Sequence, residues 1–222
     1  MKLPWKRCAL AAALLLPALL TSPSAHAAAH DPVLFVHGWN GSASNWNTMI
    51  SRFRADGWPD DHLRAFSYDT AKSNATTAEV VRAEVDRLLA ATGAAKVDVV
   101  THSMGGLSSR YYARNLGGDA KIDQWVSLGG PNHGTRSANT CFQTSCTEMR
   151  IGSDFLTALN SGDETPGAPD YGTWWSSCDG VIDPPDSTVL SGARNTRTAC
   201  VSHSALLTDA TVYGQVRDYV NR

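Results

Sequence analysis

The segment Val99-Val100-Thr101-His102-Ser103-Met104-Gly105-Gly106 places a serine where an apolar run gives way to residues that suit a helix. A Gly-x-Ser-x-Gly turn between strand and helix lifts a serine hydroxyl above the edge of a sheet, and here Thr101 stands in for the first glycine. Small neighbours let strand and helix pack closely around the turn, and a helix N-terminus favours negative charge nearby. The same residues also suit an ordinary serine N-cap, so the reading depends on partners elsewhere. A serine hydroxyl is a weak nucleophile at neutral pH and needs a base. The candidates beyond residue 27 are His30, His37, His62, His102, His133 and His203. His203 follows a strand-like run, Thr196 to Val201, which brings it to the sheet edge that carries Ser103. His203 is therefore the expected general base. A carboxylate must hold its tautomer and stabilise its cation. Asp179, at the end of the run Tyr171 to Trp175, is the expected acid, with Asp183 as its rival.

Attack on an ester builds a negative oxygen that needs donors already in place. The Met104 N–H, just after the serine, is one expected donor. The other is the Trp39 N–H in His37-Gly38-Trp39-Asn40-Gly41, where Gly38 and Gly41 let the backbone bend towards a substrate. Trp39, Met104, Trp174 and Trp175 are the expected apolar walls. This chemistry requires no metal and no organic cofactor.

The elements that must position these groups alternate. Pro32 to Val36, Leu63 to Tyr68, Lys96 to Val100, Ile122 to Leu128, Tyr171 to Trp175 and Thr196 to Val201 read as strands. Trp46 to Ala55, a helix opened by the Thr76-x-x-Glu79 capping box and ending near Gly93, Ser103 to Asn115, and Val212 to Val220 read as helices. Alternation predicts an α/β fold: a mostly parallel central sheet with helices on both faces. Residues 28–222 form one compact domain on this reading. Residues 131–172 are a loop-rich insertion with a short helix near Phe155 to Asn160, forming a wall or flap of the site.

The chain of 222 residues opens with Lys2, Lys6 and Arg7, then an apolar run from Ala9 to Leu20 and Ala25-His26-Ala27. That is the pattern of a signal peptide over residues 1–27, too short for a membrane anchor. The remainder holds 16 basic and 21 acidic residues, which disfavours nucleic acid as a partner. It also keeps four cysteines, and an even number in an exported chain suggests disulfides. Three pairings are possible. The expected one joins Cys141 to Cys146 across a short loop and Cys178 to Cys200 between the segments of the acid and the base.

Six pieces in order resemble the class 2 family of small secreted bacterial triacylglycerol lipases. They are Pro32-Val33-Leu34-Phe35-Val36-His37-Gly38-Trp39, Thr101 to Gly106, Leu128-Gly129-Gly130-Pro131-Asn132-His133-Gly134-Thr135, Gly162 to Gly167, Ser177-Cys178-Asp179-Gly180-Val181-Ile182, and Ser202-His203. The resemblance implies an α/β-hydrolase fold, secretion, and hydrolysis of lipid esters through Ser103, Asp179 and His203, in the Ser, Asp, His order of that fold. It implies Trp39 and Met104 as oxyanion donors. The expected partner is a lipid or other ester, met at a lipid–water interface or in solution, and the expected state is a monomer. The smallest lipases of this type lack a lid, whereas the 131–172 stretch is longer, and Trp39 replaces an aliphatic residue. A short-chain esterase, a polyester depolymerase, an acyltransferase or a non-catalytic binding module would use the same fold.

Overall fold

The structure, a computed structural model, describes Met1 and residues 30–222. The rest of the expected leader lies outside the described residues. The chain runs β1 (Val33–Val36), α1 (Asn47–Ala55), β2 (Leu63–Ala65), α2 (Asn74–Thr92), β3 (Val97–His102), α3 (Gly105–Asn115), β4 (Ile122–Leu128), α4 (Thr144–Glu148), α5 (Asp154–Leu159), β5 (Asp170–Trp175), β6 (Arg194–Arg197) and α6 (Ala210–Val220). The strands form one sheet in the order β2-β1-β3-β4-β5-β6, with every pair parallel.

Two apolar layers explain the run of residues in β1. Val33 and Phe35 face the layer of α1 and α6, against Phe53, Val216 and Tyr219. Leu34 and Val36 face the opposite layer of α2 and α3, against Val81, Val85 and Tyr112. A strand covered on both faces needs apolar residues at consecutive positions, so the alternation of a half-exposed strand is absent. The order reverses between β1 and β3, since β1 pairs with β2 on one side and β3 on the other. In open α/β sheets the crevice at the carboxyl ends beside such a reversal is where ligands bind. His37 and Gly38 follow β1 at that end, and Ser103 follows β3 there.

Several boundaries differ from the sequence reading. Helix α2 starts at Asn74, two residues before the expected box, with the Ser73 hydroxyl capping the Ala75 N–H. Glu148, 74 residues away, accepts from both the Asn74 backbone and its side-chain amide at 2.6 and 2.9 Å. A distant carboxylate thus takes the N-terminal place that a local glutamate was expected to fill, and Glu79 instead pairs with Arg82. Strand β2 stops at Ala65, since as an edge strand it pairs only with Val33 to Phe35. Strand β6 covers Arg194–Arg197, earlier than the expected Thr196 to Val201. Beyond it, the Val201 N–H donates to Ser176 Oγ at 3.0 Å, and Cys200 is bonded to Cys178. Loop contacts there replace ladder contacts.

Candidate active site

Ser103 sits between the last residue of β3 and the first turn of α3 with φ +54°, a left-handed conformation that costs a non-glycine residue about 1 kcal/mol or more. Its N–H donates to the Leu128 carbonyl at 2.9 Å, which anchors the turn to the end of β4. The neighbours are glycines for steric reasons. A Cβ on Gly105 would lie 2.5 Å from the Val36 carbonyl oxygen. A Cβ on Gly38 would lie 2.7 Å from Ser103 Cβ and 3.2 Å from its Oγ. Only a bare backbone lets the β1 loop come this close to the serine.

That loop is braced from behind. His37 Nδ1–H donates to the Gly38 carbonyl at 2.8 Å, the ring stacks on Tyr68, and the Tyr68 hydroxyl donates to the His37 carbonyl. Burial holds the His37 imidazole below the usual histidine range, only partly offset by the Gly38 bond. Trp39 comes next and lines the cavity, its indole N–H donating to Gln143 Oε1 at 2.7 Å.

Asp179 and His203 meet directly. His203 Nδ1 and Asp179 Oδ2 are 2.8 Å apart. An ionised carboxylate only accepts, so Nδ1 carries the proton and Nε2 keeps its lone pair. The other carboxylate oxygen accepts the Val181 and Ile182 N–H groups at 2.9 and 2.7 Å, and the His203 N–H donates to the Asp179 carbonyl. Burial pushes the Asp179 carboxyl up, but the bond and charge of His203 and these two amides outweigh it. The net position is below the ordinary aspartate value. Asp183, the rival, is exposed and pairs with Arg136. Ser103 and His203 line one cavity, and no hydrogen bond joins the hydroxyl to the ring. Such contacts commonly tighten only with substrate bound.

The cavity walls come from separate segments. Trp39, Val181 and Ile182 supply one side, and Ala138, Cys141 and Met149 of the 131–172 segment supply another. Thr135 Oγ1 ties that segment to the acid loop, donating to the Val181 carbonyl and accepting the Asp183 N–H, both at 3.0 Å. Trp174 and Trp175 are not in the wall. Trp174 is buried in the core against Tyr219, its indole donating to Gln215, because its position in β5 points it at α6. Trp175 lies under the Arg197 guanidinium instead. The Met104 side chain is also fully buried, in a cluster with Leu107, Cys146 and Met149 behind the wall.

Two residues beside the pair were not singled out for a role in the sequence. Gly129 has φ +58°, and a Cβ there would lie 3.0 Å from Asp179 Oδ2 and 3.1 Å from His203 Nδ1. Its sequence signals were a double glycine ending a strand and its place in the Leu128–Thr135 piece. His102 was one of six candidate bases and was not chosen. It lies under the expected base, Nε2–H donating to the His203 carbonyl at 3.0 Å and ring centroids 4.4 Å apart.

Burial, and then the His203 charge, push the His102 imidazole down to about 3. In the unfolded chain a histidine takes a proton near pH 6.5, so below that value the unfolded state binds a proton that the folded state refuses. Stability therefore falls as pH drops from about 6.5 towards about 3, by up to about 1.4 kcal/mol per unit from this group. His102→Gln keeps a donor and removes the titration. Urea unfolding at pH 6 and pH 4 should show a loss about 2 kcal/mol smaller in the variant than in the wild type; equal losses would mean that His102 is charged in the folded protein.

Both cysteine pairs are formed, Cys141–Cys146 and Cys178–Cys200. The second spans 22 residues and joins the acid turn to the loop before His203. Closing a loop of that length restricts the unfolded chain by about 3 kcal/mol in the entropic account. Replacing both Cys178 and Cys200 by serine should lower the unfolding free energy by about that amount in a urea titration, and an unchanged midpoint would refute it.

Residues 30–220 match the family described as lipase (class 2). A triacylglycerol lipase of Pseudarthrobacter phenanthrenivorans is 31% identical over 122 residues, 51% of this chain and 37% of that protein. A triacylglycerol lipase of Burkholderia plantarii is 31% identical over 122 residues, 51% of this chain and 33% of that protein. The match thus spans only about a third of the length of these curated relatives. Among solved structures, Bacillus licheniformis lipase BlEst2 in mature form superposes with a TM-score of 0.78 at 18% identity, covering 90% of this chain and 96% of that one. Aspergillus fumigatus lipase B superposes with a TM-score of 0.75 at 16% identity, covering 87% and 53%. At these identities the likeness concerns the fold, which is that of the α/β-hydrolases. With the family match running through all six strands and across the serine turn, the chain belongs to the class 2 lipase family.

Proposed function

We propose that this chain is a secreted carboxylic ester hydrolase that cleaves lipid esters through an acyl-enzyme on Ser103. Ser103 Oγ attacks the ester carbonyl carbon while its proton passes to His203 Nε2. The Trp39 and Met104 amides take the oxyanion, and Asp179 stabilises the imidazolium through Nδ1–H. Collapse breaks the bond to the alcohol oxygen, which leaves with the proton from His203. Water, deprotonated by His203, then hydrolyses the acyl-enzyme and restores the serine. The observation that carries this reading is that Ser103, at φ +54°, and His203, bonded to Asp179, line one cavity.

Export is supported by the leader pattern of residues 1–27 and by two disulfides. The substrate class is supported by the apolar rim. Trp39 and Val181, 37% and 43% exposed, line the cavity, and Phe142, 84% exposed, adjoins its wall at Cys141. Exposed apolar surface at a site mouth favours long acyl chains over short ones. A fluorophosphonate probe should label folded protein on the peptide that contains Ser103. Turnover on laurate esters and emulsified triglyceride should exceed that on butyrate. Labelling elsewhere, or none, removes the serine mechanism; a preference for butyrate removes the lipid reading alone.

A further inference from the structure

A second group of reactive side chains lies at the other end of the sheet, in no contact with the cavity. Asp31 precedes β1, Asp98 is in β3 and Asp123 is in β4, and carboxylate oxygens of the three lie within 4.8 Å of one another. An irregularity in the ladder gathers them. Val97 pairs with Ile122 but Val99 pairs with Trp125, so Asp98 faces both Asp123 and Gln124.

Acidic clusters on a protein edge are ordinary, and this one is distinguished by what is buried without a partner. Asp98 is 1% exposed; its Oδ1 accepts the Gln124 N–H at 3.1 Å, and its Oδ2 has no partner among the described residues. Gln124 is 5% exposed, and its Oε1 has none among them either. The same amide lies against the cluster, its Nε2 donating to Asp123 Oδ2 at 3.3 Å. Turning that amide over puts Oε1 where Nε2 now faces Asp123 Oδ2. Leaving buried oxygens unpaired is costly, and a carboxylate in such a place either takes up a proton or needs a counter-charge; burial and then Asp31 push the Asp98 carboxyl well up. Lys96 supplies one positive charge, Nζ to Asp123 Oδ1 at 3.0 Å. With all three carboxylates ionised around a cation, one ammonium leaves two negative charges, the complement of one divalent ion.

We propose that Asp31, Asp98 and Asp123, with Gln124 Oε1, form a binding site for a calcium ion at the N-terminal edge of the sheet. All the donors are hard oxygens, which selects against zinc and the softer metals. The burial of the donors chooses between the two common hard cations. Asp98 and Gln124 are 1% and 5% exposed, and magnesium, which keeps several of its waters, is poorly suited to a largely dry set of protein oxygens, whereas calcium accepts one. Five residues of extended strand separate Asp98 from Ser103, roughly 16 Å, so the ion would tie β1, β3 and β4 together without touching substrate. The inference is independent of the ester chemistry proposed above.

The test uses the full chain after EDTA treatment and desalting. Calorimetric titration with calcium chloride should show one site, and the melting temperature should rise by about 5 to 10 °C at a hundredfold excess over the dissociation constant. Magnesium should give a smaller shift. Asp98→Asn should abolish the heat and the shift. Asp123→Asn, altering a half-exposed residue, should weaken binding by tenfold or more and serves if the first variant does not fold. No heat and no shift with 10 mM calcium would overturn the proposal, as would a shift of equal size in either variant.

Discussion

Ser103→Ala is expected to lower turnover on p-nitrophenyl esters by about 10⁴-fold or more, with KM little changed. The size follows from what the hydroxyl does in the proposed cycle. Without Oγ there is no acyl-enzyme, and only direct attack of water on bound ester remains. The oxyanion amides belong to the backbone and survive the substitution, so residual catalysis above the solvent rate is expected. A fold that persists can be checked by near-ultraviolet circular dichroism, and full activity in folded variant would end the assignment. The backbone supplies a second readout. Ser103 is held at φ +54°, where glycine is free of the strain that serine bears. Ser103→Gly should therefore be inactive and also more stable than the wild type, by about 1 kcal/mol in urea. A gain in stability with a loss of activity would mean that the strain serves the nucleophile's placement.

The sequence was most informative where one residue must satisfy both backbone and chemistry. The serine turn could be read because a strand, a tight turn and a helix start leave a joint signature in eight residues. Ile122–Leu128 was read to the residue because apolar Ile122, Trp125, Val126 and Leu128 lie between glycine pairs at 117–118 and 129–130. What escaped depends on contacts between distant segments. The start of α2 is set by Glu148, and the end of β6 by the loop around Cys200, neither of which a local window contains. Trp174 and Trp175 were expected among the apolar walls; the parity of β5 sends the first to α6 and leaves the second under Arg197. Gly129 is a requirement of shape, legible only once Asp179 and His203 are seen against it. The three aspartates at the far edge come from the approach to β1 and from β3 and β4, gathered by a ladder irregularity, and no spacing within the chain announces them.

Asp179→Asn should lose activity on the same scale as the serine variant, about 10⁴-fold, while Asp183→Asn should lose less than tenfold. The contrast arises from hydrogen bonds. In Asp179→Asn the amide oxygen remains the better partner for the Val181 and Ile182 N–H groups, which now meet Asp179 Oδ1. The NH₂ group is then left facing His203 Nδ1, where Oδ2 sits at 2.8 Å. Two donors cannot share that contact, so Nδ1 becomes the acceptor and the ring proton moves to Nε2. The imidazole then has no lone pair to offer Ser103, and the base is lost although every atom is close to its place. Asp183 has no such leverage. It is exposed and pairs with Arg136, so its neutralisation costs one surface ion pair, at most about 1 kcal/mol. Turnover on p-nitrophenyl butyrate, measured side by side, separates the two. A larger loss in Asp183→Asn would move the acid role to that residue and would require the His203 loop to reorganise on binding substrate.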